Sequence, residues 1–331
     1  MYVFILIWLL LWWRIGNSNK LLHLIIAIIP VFVMIAFRAE SVGKDTAGYL
    51  HAYSLFDPNI SLIQLWNEWD TEKGYVALCY ILKQIGLSER SVLFTEALTF
   101  CFSIIYFCKY CAKDKLFILM VAVLSLSEFA ISGVRQTFAL SIFLIAYRFA
   151  QEKRWVIYAL LGILALLFHT SAILVFPCCI LIHVKFNNRA LWLYIIVLVF
   201  SLLSMKTIFG KVSSMLDYDE YQLMSLEGGY VSFAASLLFC CAVMANYKIE
   251  SNNLKFQQAS HYTVLYALFS AIRFVNVMIM RVLLYLSVFP YLMIDSMHES
   301  HKSKNYKILA ATFSVAYFIY RLSALDTYHF Y

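Results

Sequence analysis

The chain has 331 residues, 63% of them apolar and 14% charged, with a mean hydropathy of +0.77 and a net charge of +7. Such a chain has too little polar surface to close a soluble globule, and its modest basic excess is that of a plasma-membrane protein, not of a nucleic-acid binder. Backbone groups inside a bilayer must be satisfied within the spanning structure, and long apolar runs rather than alternating strands select helices, so the sequence predicts an all-α polytopic membrane protein.

In chain order, apolar segments fall near 2–13, 21–37, 91–108, 116–131, 136–150, 155–184, 191–205, 229–246, 262–280, 282–297 and 308–320. The first lacks a basic stretch before it and a small-residue cleavage site after it, so it reads as a retained span and not a signal peptide. The run 155–184 is interrupted by His169, Thr170 and Ser171 and by Pro177. It reads as two short helices meeting near His169, which brings the expected total to about 11–13 crossings. All eight cysteines lie within or at the ends of apolar runs and read as small hydrophobes. Cys108 and Cys111 form a CxxC, but no second pair or nearby His completes a zinc site, so no metal and no cofactor are expected. No internal repeat or soluble domain is visible, and 1–331 reads as one membrane domain with a large outer loop at 38–90.

The connections 14–20, 109–115, 148–154, 185–189, 247–258 and 298–307 carry most of the chain's Lys and Arg and few of its acids. By the positive-inside rule they face the cytoplasm. Gly74 to Gly86 is apolar enough to enter the membrane, but counting it as a span reverses every later loop. It is therefore expected to be a re-entrant or interfacial helix on the outer side, near Trp66 and Trp69. Arg38, Asp45, Arg135, His169, Arg273, Arg281 and Arg321 then all lie at or near the outer face. An arginine at a span end must snorkel, pair or line a wet cavity.

Four stretches could carry chemistry. In Arg38 to Tyr53, Asp45 or Thr46 can cap a short helix bearing Tyr49, Tyr53 and Phe56. Read blandly, this is an interfacial helix behind a snorkelling Arg38; read functionally, Arg38 and Lys44 bind phosphate while Asp45 stays free as a base. Ser132 to Gln136 opens an apolar helix with a guanidinium among free N–H groups, which is either an anion site or a helix anchor. His169 with Thr170 and Ser171 is a hydrogen-bonded packing element or a base presented by a broken helix. Arg273, Asn276, Arg281 and Tyr285 lie near one late turn, Arg281 and Tyr285 sharing a helix face. Two arginines there suit an anion. Glu128 and Asp295, inside spans, must be paired or wet.

Arg38-Ala-Glu-Ser-Val-Gly-Lys-Asp45-Thr46 with Tyr49, then Glu72-Lys-Gly-Tyr75, Gly133-Val-Arg135-Gln136, Phe168-His169-Thr-Ser171 and Arg281-Val-Leu-Leu-Tyr285 follow one another in that order. This ordered set resembles the EpsG family of membrane polysaccharide polymerases, related in role to Wzy O-antigen polymerases. Arg273 and residues 298–331 match nothing in that pattern.

The resemblance implies a multi-pass glycosyltransferase of the bacterial inner membrane. Its substrate would be an undecaprenyl-diphosphate-linked oligosaccharide in the lipid bilayer, and its active site would face the periplasm. A flippase and a chain-length regulator are the partners such an enzyme would work with. In that chemistry Arg38, Arg135 and Arg281, with Arg273, neutralise the leaving diphosphate, and Asp45 or else His169 serves as base. Lys44, Tyr49, Gln136 and Tyr285 position sugar or phosphate. An O-antigen ligase, another lipid-linked transferase, or a flippase for the same lipid are the competing functions. A transporter would favour internal repeats and midplane polar residues, whereas this chain shows no repeat and most of its charge lies at outer span ends.

Overall fold

The structure is a computed structural model and describes residues 1–197, 199–200, 229–273 and 279–322. The chain is all-helical, with no β-strand element among the described residues, and it packs as two compact units, 1–176 with 308–331 and 177–307.

The first unit opens with α1 (Tyr2–Ile15) and α2 (Leu21–Ala36). Three short helices follow, α3 (Thr46–Leu55), α4 (Leu62–Glu68) and α5 (Lys73–Gln84). Then come α6 (Arg90–Cys111), α7 (Lys115–Ser132), α8 (Val134–Gln151), α9 (Trp155–Phe168) and α10 (Ala172–Val175). Helices α7 and α8 are buried almost all round, as helices without a polar face must be. α8 packs on α6 and α9, and α2 on α6 and α7. The outward residues of α1 and α9, such as Phe4, Ile7, Leu11, Val156, Leu160 and Ile163, are apolar and exposed, a surface made for lipid.

Side-chain bonds fix which loops share an end of this unit. Asp114 caps α7 through Phe117 N (3.1 Å) and also accepts from Ser18 Oγ (2.8 Å) and Trp13 Nε1 (3.4 Å). Arg148 donates to Tyr106 Oη (3.1 Å) and lies 3.6 Å from the Tyr110 ring centre. The connections 14–20, 109–115 and 148–154 therefore meet at one basic end, as their charge predicts. At the opposite end α7 turns into α8 through Gly133 alone, where a Cβ would run into the Phe129 ring.

The segment expected to lie on the outer side is a helical cap at that opposite end. Leu50, Tyr53, Phe56, Leu65, Tyr75, Val76, Cys79 and Leu82 form one apolar cluster with Val92 and Leu93 of α6 and Val134 and Phe138 of α8. Helix α5 has 12 residues, well short of the ~20 that cross a bilayer. A Ser61–Gln64 capping box starts α4. The long apolar run does break at His169, and beyond α10 it continues as a 3-10 stretch, Phe176–His183.

In the second unit lie α11 (Asn188–Val197), α12 (Gly229–Asn246), α13 (Leu254–Ile272), α14 (Met280–Leu286) and α15 (Phe289–Ser296). α16 (His301–Leu322) starts there and ends in the first unit. α13 packs against α12, α14 and α15. The segment 282–297, read from sequence as one span, is divided into α14 and α15, because Pro290 cannot donate within a continuous helix and instead sits in the first turn of a new one. Among the described residues α6, α7 and α12 are long and apolar enough to cross a membrane, and α1, α2, α9, α11 and Ala172–His183 are shorter apolar helices. α13 is more polar, and it buries Gln257, Gln258, Ser260, His261 and Thr263 inside the unit. There Tyr194 Oη donates to His261 Nδ1 (2.6 Å), whose Nε2 reaches the Val184 carbonyl (2.8 Å).

The basic loops of this unit also share an end. Glu250 accepts from the His298 backbone N–H (2.9 Å) and from Asn253 (2.7 Å), and its carboxylate meets His298 Nδ1 at 2.6 Å. Burial opposes ionisation of Glu250, but the hydrogen bonds from Asn253 and His298 outweigh it and hold its carboxyl below the ordinary glutamate value. A depressed native pKa adds stability above the unfolded value of about 4.3, and that contribution is lost as pH falls through the lower native one. Glu250→Gln should accordingly flatten the acid limb of a thermal-stability profile below about pH 4.3 and leave the profile's shape near neutrality unchanged.

Candidate active site

Three features converge on the end of the first unit opposite the basic loops: the turn before α3, the start of α5 and the start of α8. Gly43 has φ +85°, a conformation open to glycine, and its missing side chain lets the turn press onto the Ile131 carbonyl at the end of α7. Thr46 turns inward. Its hydroxyl donates to Val42 O (2.7 Å), lies 3.2 Å from Ile131 O and accepts from Arg38 Nε (3.1 Å). Gly43→Ala places a Cβ against that carbonyl in a strained backbone, so it should lower thermal stability by about 1–2 kcal/mol or more and reduce activity through loss of the seat.

Arg38 is fully buried, 0% exposed. Besides Thr46 it donates to the Ile35 carbonyl (2.8 Å) and to Glu96 of α6 (2.9 Å). Arg90 closes this cluster by donating to the Arg38 carbonyl (2.7 Å) and reaching Glu40 (3.4 Å). A guanidinium enclosed in this way orients the turn. The residue expected from sequence to bind phosphate is thus enclosed by protein partners.

Arg135, in the first turn of α8, is different: its side chain is 31% exposed. Its Nε donates to Tyr49 Oη (3.0 Å), its Nη1 pairs with Glu72 Oε2, and its Nη2 makes no hydrogen bond among the described residues. The Tyr49 ring lies beneath the guanidinium (5.7 Å) and packs edge-on against Tyr75 (5.4 Å). Burial pushes the Tyr49 phenol above its ordinary value, Arg135 pulling the other way, so the hydroxyl stays protonated at neutral pH. Since its oxygen accepts from Arg135, its proton is left to donate outward.

Asp45 stands one turn before Tyr49 as the N-cap residue of α3, with its carbonyl accepting from Tyr49 N (3.0 Å). Its side chain makes no capping bond, and it is exposed, as is Lys44. His169 is enclosed, 6% exposed, and its Nδ1 accepts from the Ser171 N–H (3.1 Å) and meets the Ser171 hydroxyl (2.7 Å). That ties the ring to its own turn. Gln136 is buried within α8.

The late residues fall in the second unit. Arg273 is buried and donates to Ser232 Oγ (3.3 Å), Arg281 is half-buried at the start of α14, and Tyr285 is buried one turn on. Asn276 lies outside the described residues. Each span acid has a cation: Glu96 with Arg38, Asp295 with Lys307 (2.7 Å), and Glu128 with Arg321 (2.6 Å).

Sequence reasoning gave no role to Glu72, Glu96 or Arg90. An arginine in so apolar a chain calls for an acid within a span, a signal that could have found Glu96 but not which arginine it would take.

The EpsG family matches the chain over residues 21–331. The chain belongs to the EpsG family. The match reaches through α16, so the C-terminal residues that had no place in the resemblance fall within the family's bounds. No curated protein and no solved structure matches the chain. EpsG membership supports a membrane protein of the exopolysaccharide- or O-antigen-polymerase type, acting on a lipid-linked saccharide.

Proposed function

We propose that this EpsG protein is a polysaccharide polymerase of the bacterial inner membrane. It transfers a growing glycan from undecaprenyl diphosphate to a hydroxyl of an incoming lipid-linked repeat unit, at the periplasmic face. The observation that carries this reading is Arg135: a guanidinium oriented by Tyr49 and Glu72, part exposed, with Nη2 unpartnered among the described residues, at the end away from the basic loops.

The leaving diphosphate gains negative charge as its bond to the anomeric carbon breaks, and a fixed guanidinium stabilises that charge more in the transition state than in the ground state. Arg135 performs this task, and the outward O–H of Tyr49 holds a phosphate or sugar oxygen. The acceptor hydroxyl is a weak nucleophile and needs a base. Asp45 is the carboxylate positioned for it, exposed and without a capping bond, whereas His169 is tied to Ser171. Lys44 adds positive charge beside Asp45. Gln136 supports the first turn of α8, and Arg273, Arg281 and Tyr285 are assigned to substrate binding. A flippase that delivers the repeats and a chain-length regulator complete the pathway in this reading.

The experiment is complementation of a polymerase-null strain. Wild type should restore a ladder of surface glycan. Asp45→Asn, at equal membrane level, should reduce ladder formation by about a hundredfold or more while single-repeat product accumulates. A ladder of wild-type intensity from Asp45→Asn would remove Asp45 as the base, and no ladder from wild type would remove the polymerase reading.

A further inference from the structure

The outer end of the first unit holds a second arginine–carboxylate pair that the reaction centre above leaves unused. Arg321, in the last turn of α16, donates through Nη2 to Glu128 of α7 at 2.6 Å. Both side chains are part exposed, 38% and 26%, and Nε and Nη1 of Arg321 have no hydrogen-bond partner among the described residues. The pair lies beside the turn that carries Asp45. Gly43 presses on the Ile131 carbonyl and the Thr46 hydroxyl is 3.2 Å from it, and Ile131 follows Glu128 by about one helical turn. Lys44 is exposed on this turn, close enough for its charge to act on the Glu128 carboxylate. Going the other way from Asp45, one turn of α3 leads to Tyr49 and Arg135. Asp45 thus has one cationic group on each side.

Polymerisation has a requirement that matches this arrangement. Both substrates are lipid diphosphates, so two multiply charged anions must be held at once. In the transfer, the acceptor hydroxyl oxygen bonds to the donor's anomeric carbon, the bond from that carbon to the donor diphosphate breaks, and the electron pair leaves with undecaprenyl diphosphate. The hydroxyl proton passes to the base. The acceptor's own diphosphate stays intact and has to be held without being activated. Two such anions on one cation repel each other strongly, so separate cationic groups are needed.

We propose that Lys44 and Arg321 form a second diphosphate-binding site, which holds the acceptor lipid while Arg135 holds the donor; this rests on the polymerase reading. Arg321 is held ready by Glu128, which leaves its Nε and Nη1 for phosphate oxygens, and Lys44 supplies the second charge from the turn. After transfer the lengthened chain sits on the lipid in this second site and must pass to the Arg135 site before the next cycle. The C-terminal helix is thereby part of the substrate machinery.

The test uses the full chain in nanodiscs and glycan-free undecaprenyl diphosphate as probe, with bound lipid counted by native mass spectrometry. Wild type should hold two molecules. Arg135→Ala, Lys44→Ala and Arg321→Gln should each hold one, and Arg135→Ala combined with Arg321→Gln should hold none. A second measurement separates the substrates by using a donor whose acceptor hydroxyl is blocked. Lys44→Ala, an exposed change that leaves the fold intact, should raise the KM for the lipid-linked acceptor about tenfold and leave the donor KM unchanged. Two bound lipids and a wild-type acceptor KM in both Lys44→Ala and Arg321→Gln would overturn the second site and leave the polymerase standing. A wild type that binds no lipid diphosphate at all would overturn both.

Discussion

Arg135→Ala is expected to lower glycan polymerisation by about a hundredfold to a thousandfold, the usual cost of removing one donor aimed at developing charge. Its membrane level should stay close to wild type. The pair with Glu72 is part exposed, and losing a contact of that kind costs about 1 kcal/mol of stability. The two readouts separate a reaction-centre arginine from a helix anchor: an anchor variant should lose protein along with activity, whereas Arg135→Ala should lose activity alone. Arg135→Lys is a sharper variant. A lysine keeps the charge but cannot reach Tyr49, Glu72 and a phosphate together through a planar fork, so it should recover only part of the loss. Measurement of elongation per mole of membrane-extracted protein checks both variants.

Arg38→Met carries the largest expected effect on folding. The guanidinium and the Glu96 carboxylate are both fully enclosed, and they meet at 2.9 Å. Removing one member of a buried pair leaves an uncompensated charge and costs about 3–5 kcal/mol, enough to deplete folded protein from the membrane. Removing both is different. Arg38→Met with Glu96→Leu replaces the pair by apolar side chains, and such exchanges are often neutral or stabilising. The double variant should therefore recover thermal stability in detergent relative to either single one. It should still be impaired in activity, because Thr46 and the turn bearing Asp45 lose the donor that orients them. Equal instability of double and single variants would show that the pair does more than balance charge.

These two arginines also show what the sequence makes legible. Loop charge predicted that 14–20 and 109–115 share a side, and Ser18 and Trp13 do meet Asp114. Such a signal is readable because membrane sidedness acts on every basic loop at once. The break at His169 was readable for a similar reason, since polar residues inside an apolar run leave few other solutions. The difference between Arg38 and Arg135 was not readable. Both stand at the ends of apolar segments, and both satisfy the same rule that an arginine there must pair, snorkel or meet water. Which of these each one does depends on Glu96, 58 residues from Arg38, and Glu72, 63 residues from Arg135. No local pattern encodes such pairings. The division of 282–297 at Pro290 was missed because length and hydropathy alone suggested an unbroken span.

Whether this chain itself elongates a lipid-linked glycan is decided by purified protein in proteoliposomes supplied with one defined undecaprenyl-diphosphate-linked repeat and nothing else. Products of two, three and more repeats on a single lipid are expected, with one undecaprenyl diphosphate released per bond formed and both signals reduced at least a hundredfold in Arg135→Ala. Repeats that remain single while the lipid changes leaflet, or that pass only to an acceptor other than a lipid-linked repeat, would contradict it.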